Sequence, residues 1–164
     1  MVGLLLPSDF IGRPGRTTAS FDVSALTQVT LCQFERRRFE ALLETTPHIA
    51  SRQMEMALDE LDAAREWMVL LGRKTAREKI ATFLKMLARR SLAGEGSSDR
   101  TLNMPMTRDQ IANYLGLTLE TVSRQLNAFK KEGIITLEGR KQIAVLAPAL
   151  LHLATGEGDI STAD

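Results

Sequence analysis

The chain has 164 residues, a length that suits one domain or two small ones. Its 21 basic and 20 acidic residues leave a formal net charge of +1, which excludes a histone-like polycation and an acidic solvating protein. The composition, with 44% hydrophobic and 25% charged residues, is that of a globular protein. No apolar run reaches the ~18–20 residues that a bilayer span requires, so we expect no membrane association.

A single cysteine, Cys32, excludes an internal disulfide framework and a metal site built only from cysteines of this chain. Aromatic residues make up only 5% of the chain, which favours helices packed by aliphatic side chains over a β-sandwich. We therefore expect a mainly α fold with a small β part, in a reducing, cytoplasmic compartment.

The first 46 residues have a mixed character. Residues 1–34 contain several Gly and Pro residues and the alternating run Val29, Leu31, Gln33, which predicts short strands and turns, and the pattern turns helical from Glu35. A few strands cannot bury enough surface to form a domain alone. We therefore expect residues 1–46 to be the C-terminal remnant of a larger sheet or barrel, in a chain truncated at its N-terminus.

Residues 47–72 are predicted to form one long helix that ends at Gly72. Six apolar residues recur along it in steps of 3 and 4, which is the repeat of a two-helix seam: Met54, Ala57, Leu61, Ala64, Met68 and Leu71. Met56, Leu58 and Val69 widen the apolar face, as in a helix that packs only within its own chain. We favour a dimerisation helix over that intramolecular alternative.

A third helix is predicted to begin after Thr75, where Glu78 completes a capping box. Its many Lys and Arg residues fit either a solvated face or a surface placed near phosphates, and the pattern does not decide between them. Farther on, the alternation of Leu102, Met104 and Met106 predicts a short strand. The segment 151–164 is polar and acidic toward its end and is predicted to be a disordered tail.

The segment TRDQIANYLGLTLETVSRQLNAF, which begins at Thr107, predicts a helix-turn-helix. Thr107 and Gln110 form a capping box for the first helix, and Thr118 caps the second. Gly116 supplies the turn that two such helices need. Val122, at a buried position of the second helix, is placed to fill the angle between the two helices.

The second helix then presents a polar outward face near its N-terminus, as a recognition helix does in the major groove. Arg124 can bond the N7 and O6 atoms of guanine, and Glu120 can accept from the amino group of cytosine. Being four residues apart, the two can instead pair with each other. A β-hairpin is predicted at 134–146 as a wing, with Arg140 and Lys141 near its turn as phosphate contacts. Residues 73–150 are thus expected to form a winged helix-turn-helix domain.

This segment and the KKEGII that follows it resemble the DNA-binding domain of the Crp/Fnr family of bacterial transcription regulators. Glu120, Ser123 and Arg124 are similar to the Fnr and FixK branch, whereas the cyclic-AMP receptor branch usually has Gly in place of Ser123. The resemblance extends from about Leu5 to Ala149 and implies that the predicted barrel remnant belongs to a sensor barrel of the cyclic-nucleotide-binding type.

The resemblance implies a homodimer that binds double-stranded DNA at palindromic TTGAT-like sites, is linked to oxygen or redox state and has RNA polymerase as a partner. It implies base contacts from Glu120, Ser123 and Arg124, and phosphate contacts from Arg108, Thr118 and Thr121. It also places Cys32 where oxygen-sensing Fnr proteins have a cluster ligand.

Four cysteines usually ligate an iron–sulfur cluster, so no cofactor is expected in this chain, although one could belong to a full-length form. A lone Cys32 is otherwise a small apolar residue. His48 and His152 lack metal-ligand spacing and are expected to be ordinary surface residues.

We therefore expect a DNA-binding transcription regulator. The alternative is a truncated dimerisation module that modulates a full-length regulator without binding DNA itself. An enzyme is not expected, because no acid–base or nucleophile constellation is visible.

Overall fold

The computed structural model describes residues 3–5, 9–19, 21–92, 101–138 and 142–157, without the side chains of residues 89–92, 101–103 and 142. The helices are α1 (Arg36–Thr45), α2 (Pro47–Arg73), α3 (Ala76–Leu92), α4 (Arg108–Leu115), α5 (Leu119–Lys131) and α6 (Pro148–Leu153). The strands are β1 (Thr101–Asn103), β2 (Ile135–Glu138) and β3 (Gln142–Val145). The predicted mainly helical fold with a small β part is confirmed. No helix in the described ranges is both long and apolar enough to cross a membrane.

The chain divides into two compact units. The first unit comprises residues 5–67, and the second comprises residues 68–164 together with residues 1–4, so that one division falls inside α2. In the first unit, Phe10 stacks on Phe39 with ring centroids 5.3 Å apart, and the Gly15 amide donates to a Glu40 carboxylate oxygen at 2.9 Å. These contacts tie the segment before α1 to that helix.

The strands predicted within residues 1–34 are absent from the described residues of that segment, which form bends, turns and irregular backbone. Val29 and Leu31 are 56% and 65% exposed, so the alternating pattern has no apolar surface to cover. A strand needs a neighbouring strand for its backbone hydrogen bonds, and the described part of this unit supplies none. That prediction is wrong here, and the barrel remnant remains an expectation.

The long helix was predicted to end at Gly72, but α2 continues through Gly72 to Arg73. A glycine inside a helix destabilises it by only about 1 kcal/mol relative to alanine, which neighbouring packing offsets. Leu70, one turn from the helix end, is buried in the second unit. Pro47 is the first residue of α2, where its missing N–H has no intrahelical partner to lose.

The core of the second unit lies between α3, α5 and the sheet. Helix α3 buries the inward face predicted for it, which consists of Ile80, Phe83, Leu84 and Leu87. The Glu78 carboxylate accepts hydrogen bonds from the backbone N–H and the hydroxyl of Thr75, and the backbone hydrogen bond is the main cause that lowers the pKa of Glu78. The predicted capping box at the start of α3 is therefore formed.

The three strands form an antiparallel sheet in the order β1-β3-β2. Strands β2 and β3 pair from Ile135 with Val145 to Glu138 with Gln142, which confirms the predicted hairpin. The strand predicted around Leu102 is only three residues long, and Met104 and Met106 lie beyond it as buried core residues.

The C-terminal segment 151–157 was predicted to belong to a disordered tail, but it packs onto the second unit. Leu151 and Thr155 are buried, and the Thr155 hydroxyl donates to the His152 carbonyl oxygen at 2.7 Å. Glu157 forms ion pairs with Lys74, which lies between α2 and α3, and with Lys85 of α3. The polar composition therefore reflects intramolecular pairing rather than disorder, and the rest of the predicted tail lies outside the described residues.

Candidate nucleic-acid interface

Helices α4 and α5 form the predicted helix-turn-helix, and both begin with a side-chain cap. The Thr107 hydroxyl accepts from the Gln110 backbone N–H at 3.2 Å, while the Gln110 side chain accepts from the Thr107 backbone N–H at 2.8 Å. The Thr118 hydroxyl accepts from the Thr121 backbone N–H at 3.2 Å. Each cap fixes the residue at which its helix begins.

Gly116 ends α4 in the left-handed conformation, with φ of 63° and ψ of 42°. An L-residue with a side chain adopts that conformation only at a cost, so glycine suits the sharp turn between the helices. The Leu117 N–H then donates to the Ala112 carbonyl at 2.9 Å, which closes the end of α4. The turn predicted at Gly116 is confirmed.

The inner face of α5 is buried against the core through Val122, Leu126 and Phe129. Its opposite face leaves Glu120 and Arg124 exposed. Within the described part of the chain neither residue has an ion-pair partner, so they do not pair with each other in this structure. Both charges are free to meet an external ligand.

Ser123 differs from Glu120 and Arg124 because it is half-buried. The Arg108 Nη1 atom, at the first residue of α4, donates a hydrogen bond to Ser123 Oγ at 3.3 Å. This hydrogen bond links Arg108, a predicted phosphate contact, to Ser123, a predicted base contact.

The other predicted phosphate contacts are placed as follows. Thr118 and Thr121 lie at the N-terminus of α5, and their hydroxyl oxygens are 2.9 Å apart. Thr118 also holds the helix cap, so its hydroxyl has a structural role in any case. Arg140 and Lys141 lie outside the described residues.

Three cations in α3 or just before it pair with carboxylates. Lys74 and Lys85 donate to the two oxygens of Glu157 at 2.9 and 2.6 Å. Arg77 donates to both oxygens of Glu132 and lies over the Phe129 ring. The hydrogen bond from Arg77 lowers the pKa of Glu132. Among the described side chains, these three cations are engaged within the protein rather than held free for phosphates.

Sequence reasoning missed the two acidic partners of these three cations. Glu132 is 55 residues from Arg77 in the sequence, and Glu157 is 72 residues from Lys85 and 83 from Lys74. No local spacing in the sequence links residues so far apart. His152 was also misjudged as a plain surface residue, since its Nδ1 lies 3.0 Å from Lys85 Nζ and it is half-buried. His48 is exposed, as expected.

The predicted dimer stripe is exposed on the single chain. All six of its side chains are exposed, so a partner helix could cover them. They are Met54, Ala57, Leu61, Ala64, Met68 and Leu71. Leu71 also borders the helix-turn-helix, because a Cβ built on Gly116 would lie 4.0 Å from Leu71 Cδ2. The dimer seam therefore stays a prediction.

Cys32 is exposed, and the residues of this chain do not fit an iron–sulfur cluster. Such a cluster needs about four thiolate or imidazole ligands, and Cys32 is the chain's single cysteine. Within the described ranges no group of three or more His, Cys, Asp or Glu residues could hold a metal ion. Any cluster would need ligands from elsewhere.

Residues 78–154, which contain the capped helix pair and the hairpin, match the Crp-like helix-turn-helix domain. The chain is 57% identical over 160 residues to the transcriptional activator protein FnrL of Cereibacter sphaeroides, covering 96% of this chain and 64% of FnrL. It is 44% identical over 137 residues to the nitrogen fixation regulation protein FixK of Bradyrhizobium diazoefficiens, covering 84% of this chain and 57% of FixK. The chain is therefore similar to the Crp/Fnr family, in its Crp-like helix-turn-helix domain and in its likeness to FnrL and FixK.

The names of these relatives confirm the predicted resemblance to the Fnr and FixK branch. The structure of FixK2 from Bradyrhizobium japonicum matches this chain with a TM-score of 0.61 at 39% sequence identity, over 70% of this chain and 58% of that one. The chain spans 57% to 64% of the length of the two sequence relatives.

Proposed function

We propose that this chain is a transcription regulator of the Crp/Fnr type that binds palindromic DNA as a homodimer and has no enzymatic role. The observation that carries the proposal is the capped helix pair α4–α5, which leaves Glu120 and Arg124 exposed near the start of α5 and without an ion-pair partner among the described residues. A helix-turn-helix places such residues against base edges in the major groove. The matching relatives are named transcriptional activators or regulators, which supports the same reading.

In the proposed complex Arg124 bonds guanine through N7 and O6, and Glu120 accepts from the cytosine amino group. Ser123 completes the base-facing set. The phosphate contacts come from Arg108, Thr118 and Thr121 at the helix starts, and from Arg140 and Lys141 in the wing. TTGAT-like half-sites are the expected targets.

Two copies are proposed to associate through the exposed stripe from Met54 to Leu71, which sets one recognition helix on each half-site. RNA polymerase is the proposed protein partner, and the cytoplasm the proposed compartment. An oxygen or redox link is proposed only for a longer form, since the ligands of this chain do not suffice for a cluster.

The test is a binding titration at fixed salt with an inverted repeat of TTGAT half-sites and a scrambled duplex of equal length. We expect the chain to prefer the repeat, and Arg124→Ala to lose about 1–3 kcal/mol per half-site together with its preference at the G·C pair. Arg108→Ala, as the matched control, should weaken all duplexes alike and lower the salt dependence.

Equal affinity for the two duplexes would contradict the proposal. If the chain also formed dimers while failing to bind DNA, the alternative of a dimerisation module for a full-length regulator would replace it.

A further inference from the structure

The exposed face of α5 extends past the residues predicted to read bases. Four exposed side chains recur along it in steps of 4, 3 and 4, which places them in one line on a helix with about 3.6 residues per turn. They are Glu120, Arg124, Asn127 and Lys131, and we call them the outer stripe of α5. The buried side of α5, formed by Val122, Leu126 and Phe129, lies opposite. Lys131 therefore faces away from the core of the second unit, in the same direction as Arg124.

Lys131 carries a positive charge that the described residues do not neutralise. The carboxylate next to it in the sequence, that of Glu132, accepts hydrogen bonds from Arg77 through both of its oxygens. Lys131 itself has no ion-pair partner in the described part of the chain, whereas Lys74 and Lys85 each meet a carboxylate. Arg77 thus occupies the adjacent carboxylate and leaves the Lys131 ammonium uncompensated.

The distance from Arg124 to Lys131 along α5 is similar to the width of the major groove. A helix rises about 1.5 Å per residue, so Lys131 lies about 10 Å beyond Arg124 along the helix axis. The major groove of DNA is about 12 Å wide. When Arg124 meets a base edge inside the groove, Lys131 is therefore placed near the rim, which the phosphates line. A lysine ammonium is a compact charge on a flexible stem, so it reaches a phosphate oxygen without needing a fixed geometry.

A different role for Lys131 concerns the helix itself. Lys130 and Lys131 both lie in the last turn of α5, where a cation interacts favourably with the helix dipole. That effect does not depend on the direction in which the side chain points, so it gives both lysines the same role. Lys130 is exposed as well, but it lies about 100° around the helix from Lys131, away from the outer stripe. A difference between these two adjacent lysines in DNA binding therefore separates a DNA contact from the dipole effect.

We propose that Lys131 binds a DNA phosphate at the rim of the major groove and so extends the recognition surface of α5 by one backbone contact. This inference rests on the proposed function and deepens it, because it adds a phosphate contact at the C-terminal end of α5 to those at the helix starts. A phosphate contact fixes the register of the protein on the duplex and carries no sequence information. Glu120, Ser123 and Arg124 keep the reading of the bases.

Parallel titrations of Lys131→Ala and of the matched control Lys130→Ala, both in the full chain, test this contact. Each variant is titrated with the inverted repeat of TTGAT half-sites and with a panel of half-site substitutions, at salt concentrations between about 50 and 200 mM. We expect Lys131→Ala to weaken binding to every duplex by the same factor and to lower the slope of log affinity against log salt by about 0.9 per half-site. The advantage of the wild type should consequently fall about 3.5-fold per half-site across this salt range. Lys130→Ala should retain the wild-type slope.

Lys131→Arg, which keeps the positive charge, should retain the wild-type affinity and slope. Thermal unfolding of all three variants checks that the fold is retained. An equal change in slope for Lys131→Ala and Lys130→Ala, an unchanged slope for Lys131→Ala, or a loss confined to one base pair would overturn the inference while leaving the proposed function intact. Failure of the wild-type chain to distinguish the inverted repeat from a scrambled duplex would overturn both.

Discussion

The guanidinium carbon of Arg77 lies 4.5 Å from the centroid of the Phe129 ring. Arg77 belongs to α3, and Phe129 is a fully buried residue of α5. The same guanidinium donates to both carboxylate oxygens of Glu132, the residue that follows α5. One side chain of α3 therefore fixes the C-terminal end of the proposed recognition helix through a ring face and a carboxylate.

We expect Arg77→Ala to lower the free energy of unfolding by about 1 kcal/mol, because the cation–π contact and the packing of the side-chain stem are lost. Denaturant unfolding measures this change. Arg65→Ala is the matched control, since Arg65 makes only an exposed ion pair with Asp62 and should change stability by less than about 0.5 kcal/mol. Equal effects of the two variants would contradict the role given to Arg77.

Glu157 predicts a dependence of stability on pH. Partial burial raises the pKa of Glu157, but hydrogen bonds and charges from Lys85 and Lys74 outweigh it and lower the pKa to about 2. A carboxyl whose folded pKa lies below its ordinary value of 4.5 stabilises the fold above that pH. The contribution is lost as the pH falls from 4.5 toward about 2.

We therefore expect Glu157→Gln to lower stability by roughly 1 kcal/mol at pH 7, a value reduced for solvent screening because the side chain is 43% exposed. The difference from wild type should shrink toward zero as the pH approaches 2 in urea unfolding series. Glu60→Gln, an exposed change in α2 without an ion-pair partner among the described residues, should follow the wild-type curve. A difference for Glu157→Gln that stays constant with pH would refute the argument.

Gly116 and Gly72 are predicted to respond to alanine with opposite signs. At Gly116 the cost should be about 1–2 kcal/mol, because φ is 63° there and an L-residue is strained in that conformation. A Cβ at Gly116 would meet Leu71 only at an ordinary 4.0 Å, so the effect comes from the backbone. Gly72 lies within α2 with no atom within 4 Å of a built Cβ, and alanine should stabilise it by about 0.5–1 kcal/mol.

Thermal unfolding of the two single variants and of Gly116→Asn, which tolerates the left-handed region better, measures these effects. The prediction fails if Gly116→Ala is neutral or if Gly72→Ala destabilises the chain.

Leu61 tests the proposed dimer. It is 44% exposed on the single chain, and in a two-helix seam it would be covered by the partner helix. Leu61→Lys would bury a charge there and should cost several kcal/mol, in the range of about 3–5 kcal/mol for an unpaired buried charge, so the variant should sediment as a monomer. Asp59→Lys places the same charge outside the apolar stripe and should leave the dimer intact. A wild-type chain that is monomeric at micromolar concentration would refute the seam.

The helix-turn-helix was predictable because its signals are local. Thr107 and Gln110 stand three residues apart, and Gly116 marks its own turn, so neither needs knowledge of the tertiary fold. The same holds for the hairpin from Ile135 to Val145.

The ion pairs of Lys74, Arg77 and Lys85 with Glu157 and Glu132 join residues far apart in the sequence, so no local signal predicts them. Lys74 and Glu157 are 83 residues apart, and a glutamate in a polar C-terminal stretch is more typical of a solvated tail. The opposite error occurred at Val29 and Leu31, where alternation predicts a strand but the described residues offer no neighbour to pair with. In both segments the structure depends on whether a partner distant in the sequence is available, and local sequence preference does not reveal that.

The packing of residues 151–157 onto the second unit has a genetic consequence. A premature stop codon that removed Glu157 would leave every residue of α4 and α5 in place, yet Lys74 and Lys85 would lose their shared carboxylate. A frameshift beginning at codon 151 would also remove the buried Leu151 and Thr155 from the core. Alleles that truncate the chain before Glu157 are thus expected to encode a helix-turn-helix with an intact sequence in a less stable domain.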